Sequence, residues 1–351
     1  MMENFIPPSE MNNTQRRVFV DTEQLFQAYK QAFRESRSYR GGMHWKKAKG
    51  KQYLFRSTDR YGNGKSLGPR SEKTEAILEQ FRRAKQENNR RLSTVKERLK
   101  EQSRFCKAAS IQRVPNVAAG VWRILDQHKL LGKSITIIGT NAIYAYEAAA
   151  GVFVDRPILA TQDMDMLWDV KARLKLAILD QNSSTKGMLD LLKKADRSFR
   201  RMRLQPFRAV NKDGYMVDFV KPLPRSVFAA EPKQVGDSSD LVAAEIGNLQ
   251  WLVSAPKFSQ VVIGENGYPA PLVCPDPRAF AVHKIWMSRQ PDRNPLKKQR
   301  DRDQAITVAW IISRYLPHYE FSSAELKMFP KKIFEQARRD IDASTVPDAF
   351  S

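Results

Sequence analysis

Three apolar runs, each carrying a residue that apolar strands seldom hold, constrain this chain most. The first is Ser134–Gly139, SITIIG, which leads through Thr140 into the helix-forming stretch NAIYAYEAAAG. The second, ATQDMDMLWDV, holds Asp163 and Asp165 between methionines, and the third, GYMVDFVKP, holds Asp218 between Val217 and Phe219. Residues two apart on a strand face the same way, about 7 Å apart. Asp163 and Asp165 therefore share one face, and Met164 and Met166 anchor the other. Two ionised carboxylates side by side repel, and a hard divalent cation relieves that repulsion because carboxylate oxygens are what Mg²⁺ takes. With the third strand beside the second, Asp218 joins them, enough for one or two Mg²⁺ ions aligning a nucleoside triphosphate with an attacking hydroxyl. Gly139-Thr140 at a strand-to-helix turn suits the triphosphate: close backbone approach, a hydroxyl and the amides of a helix start. The plainer reading, a turn glycine and a helix cap, stays open for that dipeptide alone.

Helix and strand patterns alternate from Gln112 to about residue 225, as in a compact α/β unit. An apolar helix over VPNVAAGVWRILDQHKLLGK opens it, a helical Lys/Leu/Ala segment follows the second strand, and a basic helix is expected over Gly187–Arg203. Within that last stretch, Arg200, Arg201 and Arg203 either track an acceptor backbone or form a solvated helix face.

The chain has 351 residues, with 60 Lys+Arg against 38 Asp+Glu, a net charge of +22. Such an excess points to a polyanionic partner, nucleic acid first. No 18-residue apolar stretch suits a membrane span, and no apolar leader segment is visible at the start. Two cysteines far apart, Cys106 and Cys274, and four scattered histidines give neither a disulfide framework nor zinc spacing. A cytoplasmic protein is the expectation.

Residues 1–20 read as a loose tail, and 21–111 as a basic region. A helix with Phe26, Tyr29 and Phe33 on one face starts at Asp21. From Arg40 to Arg70 there are nine basic residues and one acid, interleaved with Trp45, Tyr53, Phe55 and Tyr61, with QYLFRST as a strand and Gly62-Asn63-Gly64 as a turn. Trp45, Lys46, Lys47 and Lys49 fit base stacking with phosphate contact on RNA, and fit equally a basic hairpin packed by its own aromatics. Glu72–Phe105 is a long charged helix with a narrow apolar stripe. Beyond residue 226, LQWLVS and SQVVIG read as strands with GYPAPLVCPDP leading out of them. Asp276 and Pro277 start a helix, RQPDRNPLKKQR is a basic loop, and DRDQAITVAWIISRY is a last helix. Lys284 either neutralises phosphate charge or sits on the surface, and His283 is read as packed rather than as a general base.

The segments GTNAIYAYEAAAG, LATQDMDMLWD, VDFVKP, PDPRAFAVHKIWMS and RDRDQA together resemble a bacterial group with the nucleotidyltransferase, or DNA polymerase β-like, fold. The resemblance runs from Trp45 to about Ile312, and the core is more distantly similar to abortive-infection nucleotidyltransferase toxins. It implies an α/β (α+β) fold: a polymerase β-like core with a mixed sheet over 112–225, flanked by the basic N-terminal helical and hairpin region and by a C-terminal strand extension and helical region over 226–351. It implies further that Asp163 and Asp165 bind metal, that Asp218 completes the site, and that Gly139 and Thr140 hold the triphosphate. In the toxins a basic-acidic helix motif reaches the nucleotide, and Arg300, Arg302 and Asp303 match it. Ile306 stands where that motif often has a further acid, and the stretch from Gly139-Thr140 to Asp163 is longer than usual.

The expected activity is transfer of a nucleoside monophosphate from an NTP to a hydroxyl, with two Mg²⁺ ions or Mn²⁺ in their place. The acceptor expected is RNA, such as a tRNA end, with Asp218 as third ligand or as proton acceptor. Two other classes stay open: a non-catalytic nucleic-acid-binding protein on the same scaffold, and a toxin-like enzyme with a protein acceptor or an antitoxin partner.

Overall fold

The computed structural model describes residues 5–58, 62–171, 187–224 and 231–344. Tyr61 and the helix expected after the second strand lie outside them. The chain divides into two compact units, Arg17–Ile111 and Met1–Arg16 with Gln112–Ser351.

The Arg17–Ile111 unit holds most of helix α1 (Asn13–Ser38), a sheet of β2 (Gly42–Ala48), β3 (Lys51–Ser57) and β4 (Gly64–Pro69) in that order, and helix α2 (Glu72–Ala108). α1 starts eight residues before Asp21, inside the stretch expected to be a tail. The reason is a capping box: Asn12 Oδ1 accepts from Gln15 N and Gln15 Oε1 accepts from Asn12 N, both at 2.9 Å. The two helices pack antiparallel. Thr22 Oγ1 lies 3.2 Å from Cys106 Sγ near one end, and Arg91 pairs with Glu35 at 3.0 Å towards the other. α2 is started by Ser71 and Thr74 capping each other's backbone. β2 and β3 are joined by Lys49-Gly50, both at positive φ, a two-residue turn matched to strand twist.

The other unit is built on a mixed sheet. Its strands are β5 (Ile135–Ile138), β7 (Asp163–Trp168), β10 (Met216–Pro222), β9 (Arg208–Val210) and β8 (Arg200–Arg201), in that order, with β11 (Ala244–Ile246) on the far half of β10. β7 and β10 are parallel, and β5 runs antiparallel to β7. The Met164–Met166–Trp168 face of β7 and the Val217–Phe219 face of β10 are buried in the main core, where Trp168 and Phe219 stack at 5.3 Å. Against this face lie α3 (Asn116–Gln127), whose Trp122 Nε1 donates to Met164 Sδ at 2.8 Å, and α6 (Met188–Ala195). Around them come the two-residue strands β1 (Ser9–Glu10) and β6 (Val152–Phe153), paired antiparallel, then α4 (Ile143–Ala150) and the short α5 (Arg156–Leu159). The hairpin β12 (Lys257–Ile263) and β13 (Pro269–Pro275) packs on α3 and α4, and α8 (Pro277–Ser288), α9 (Pro295–Tyr315) and α10 (Lys331–Asp342) complete the unit. The sheet and these helices form a mixed α+β fold.

Four local expectations give way. LQWLVS is helix α7 (Leu249–Ser254), not a strand: Leu249 and Leu252, three apart, enter an apolar cluster, and Lys257 Nζ satisfies the carbonyls of Leu252 and Val253 at 3.0 and 3.1 Å. GYPAPLVCPDP contains β13, whose register with β12 runs from Lys257–Pro275 to Ile263–Pro269. The basic helix from Gly187 stops at Ala195 because the Asp196 carboxylate takes the Ser198 amide at 2.9 Å and turns the chain, so Arg200, Arg201 and Arg203 are not helical. The basic loop ends early, since Asn294 caps and Pro295 begins α9. The expected division at 225/226 falls inside a single unit, in which β11 extends the sheet.

Candidate active site

The acids stand where strand parity puts them. Asp165 and Asp218 are direct register partners on the parallel strands β7 and β10, and Asp163 lies two residues back on the same face. Further along this face Ile138, Leu167, Val220, Leu249 and Leu252 form a small apolar cluster. Asp218 is buried, while Asp163 and Asp165 are partly exposed beside this apolar cluster. Burial first, then the charges of Asp163 and Asp218, push the Asp165 carboxyl up to about 7. Three carboxylates that feel one another in this way are the hard oxygen donors a divalent cation takes.

Each acid also has a neighbour. The Thr161 hydroxyl donates to Asp163 Oδ1, and Asn141 Nδ2 donates to the Asp163 carbonyl at 2.8 Å. Arg208, on β9, grips Asp218 with two parallel hydrogen bonds, Nε to Oδ1 and Nη2 to Oδ2, both 2.6 Å. Asp218 is thereby turned to its guanidinium. Among the described residues no three His, Cys, Asp or Glu side chains are gathered closely enough to hold an ion as they stand. The donor chemistry suits a divalent cation, and in this structure both Asp218 oxygens are taken by Arg208.

Gly139 follows β5 and begins a 3₁₀ turn (Gly139–Ala142) leading into α4. Its φ is +70°, and a Cβ built there would sit 2.5 Å from Asp165 Oδ2. Only glycine meets both conditions, so its backbone lies directly against the carboxylate. Thr140 is buried, and its Oγ1 accepts from Gln304 Nε2 at 3.1 Å, while the same amide nitrogen donates to the Ile158 carbonyl at 2.8 Å. The Gln304 amide oxygen is buried beside this turn, and the Asn141 side chain lies within hydrogen-bonding reach of the buried Tyr215 hydroxyl.

Lys284 is not a surface lysine. It is 5% exposed on α8, and its Nζ donates to Asp301 Oδ1 at 2.7 Å. Burial lowers its pKa, against the pull of Asp301, and its charge reaches Asp165. Asp301 is fully buried and also takes Arg293 at 2.8 Å. Arg300 is tied to the Ala160 carbonyl at 3.2 Å, with its Nε buried and unpartnered. Asp303 takes Gln299 at 2.8 Å, beside the half-buried Arg302. On α9, the residues turned towards Lys284 and Thr140 are thus Asp301 and Gln304, one step along from the expected Arg300–Arg302–Asp303 set. His283 is packed edge-on to Trp251, and burial pushes its pKa down to about 3, which leaves it neutral.

Arg201 is held by the Ser238 and Asp240 carbonyls, both at 2.9 Å, while Arg200 and Arg203 are exposed. Trp45, Lys46, Lys47 and Lys49 belong to the Arg17–Ile111 unit, where the three lysines are exposed and Trp45 half-buried. Both cysteines are free and buried, and burial raises both thiols. Among the described residues no helix is long and apolar enough to cross a membrane.

Arg208, Asp301 and Gln304 are the site residues that sequence reasoning missed. Arg208 lies in a three-residue strand too short for a period, and Asp301 sits inside RDRDQA between the expected Arg300 and Arg302.

No curated protein and no solved structure matches the chain. A family described as nucleotidyltransferase matches residues 116–329, which spans the sheet, the acids, Gly139-Thr140, Lys284 and α9. With more than half of its length so matched, the chain belongs to this nucleotidyltransferase family.

Proposed function

We propose that the protein transfers a nucleoside monophosphate from an NTP to a hydroxyl of RNA in a Mg²⁺-dependent reaction, with release of pyrophosphate. The observation that carries this reading is Asp163, Asp165 and Asp218 on one face of two parallel strands, with the Gly139 backbone pressed against Asp165. Asp163 and Asp165 would hold the metal, and Asp218, released from Arg208, would be the third ligand or take the acceptor's proton. Bound Mg²⁺, or Mn²⁺ in its place, would supply Lewis-acid stabilisation of charge on the transferring phosphoryl group. The Gly139–Ala142 turn offers amide donors to the triphosphate. Gln304 fixes the Thr140 hydroxyl as a donor or acceptor beside it. Lys284 adds buried positive charge towards Asp165 from the side of α8. Arg208, once free of Asp218, becomes a guanidinium for a phosphate oxygen. The RNA acceptor is supported by the net charge of +22.

The Arg208–Asp218 pair also favours a second reading, a nucleic-acid-binding protein whose site stays closed. Thermal melting separates the two. Mg²⁺ with an NTP should raise the Tm of the wild-type protein and leave that of Asp163→Ala/Asp165→Ala unchanged. No NTP-dependent shift in the wild type favours the closed site.

A further inference from the structure

We propose that the outer face of the β2–β3–β4 sheet is a stacking platform for single-stranded RNA, with Tyr53 and Phe55 each taking a base. That this RNA is the acceptor rests on the function proposed above; that it binds here does not.

The two faces of this sheet are unlike. Leu54 on the central strand is fully buried, and the Arg56 guanidinium lies 4.1 Å from the Phe81 ring of α2. Residues of that parity face the helix. Trp45 pairs in register with Leu54 and has Arg70 5.3 Å over its ring, so it belongs to the packed face. Tyr53 and Phe55 have the opposite parity. They are half-buried on the central strand, two residues and about 7 Å apart, side by side along one open face. His44 lies opposite Phe55, its ring 5.8 Å away, and Lys46 lies opposite Tyr53. The Lys46 ammonium sits 3.6 Å over the Phe55 ring, where a stacked base would sit. A solvent-exposed cation–π contact is weaker than base stacking, so a base displaces it and leaves the ammonium for the phosphate. Gly64 borders the Phe55 ring, and a Cβ there would come within 2.9 Å of it.

Charge selects the partner. Residues 17–111 carry 24 Lys and Arg against 10 Asp and Glu, so most of the chain's excess of +22 resides in this unit. Paired aromatics on an open strand face, with lysines beside them and a strongly cationic surround, recognise unstacked bases and their phosphates together. Duplex RNA offers only phosphates and sugars to such a face, because its bases are already stacked.

The test is fluorescence anisotropy of the full chain with a labelled oligouridine RNA of about 12 nucleotides, a length within single-strand site sizes, without NTP or Mg²⁺. Tyr53→Leu and Phe55→Leu, which keep an apolar strand residue, should each weaken binding about tenfold with the slope against log salt unchanged. Lys46→Gln should lower that slope by about 0.7. Ultraviolet crosslinks of the wild-type protein to the same RNA should map to the peptide holding Tyr53 and Phe55, a readout that needs no variant. Wild-type affinity in a folded Tyr53→Leu/Phe55→Leu variant, crosslinks confined to other peptides, or tighter binding of duplex RNA or of DNA of the same sequence overturns the proposal. Binding without label transfer to RNA would sink the acceptor assignment and leave the platform standing.

Discussion

Gly139 carries two constraints at once: a left-handed φ of +70° and a carboxylate where a side chain would begin. Gly139→Ala should cost about 1–3 kcal/mol of stability and abolish nucleotidyl transfer, because the methyl group moves either the turn or Asp165. Denaturant unfolding and a transfer assay check the two parts. Asp165 gives a pH dependence with a defined sign. Its folded pKa of about 7 lies above the ordinary 3.8, so between those values the folded protein binds more protons at this site than the unfolded chain. Stability therefore falls as pH rises through that window. Asp165→Asn should be more stable than the wild type at about pH 8, with the gap closing towards about pH 4, and Mg²⁺ should stabilise only the wild type. Melting curves across pH would contradict this if the gap were constant. The three acids were legible because strand parity is a local property. Arg208, Asp301 and Gln304 were not, because each acts on a partner brought by folding: Asp218 ten residues on, Lys284 seventeen back, Thr140 164 back.

At the scale of elements, the sheet order places Asp218 beside Asp165, and helix α9 holds the Gly139–Ala142 turn. Gln304 is the link, fully buried and bonded to both Thr140 and the Ile158 carbonyl. Gln304→Ala leaves those groups unpaired, which should cost about 1–3 kcal/mol and raise the KM for NTP more than it lowers kcat. Equal loss in both would place Gln304 in the chemistry instead. The strands bearing the acids and the Asp276-capped helix could be read from the chain. The elements misread were those whose ends are set at a distance or by short polar turns. LQWLVS has the composition of a strand, and its helix is fixed by Leu252 packing and by Lys257 on its last carbonyls. The helix after Gly187 is started by Asp240, which takes the amides of Met188 and Leu189 at 2.9 and 2.7 Å from 52 and 51 residues away.

Over the whole chain, charge and chemistry are unevenly distributed. The carboxylates lie in the unit that matches the nucleotidyltransferase family, and the greater part of the positive excess lies in residues 17–111. Composition alone showed the excess but not which aromatics it surrounds, since Trp45 and Tyr53 look alike until the sheet separates its faces. The wild-type protein and Asp163→Ala/Asp165→Ala, matched by melting curve and circular dichroism, are incubated with each α-labelled NTP, Mg²⁺ and total RNA, and label on macromolecules is followed alongside released pyrophosphate. Nucleotidyl transfer to RNA predicts labelled RNA and stoichiometric pyrophosphate from the wild type with one or more NTPs, and neither from the double variant. Equal label transfer by the folded double variant would contradict it.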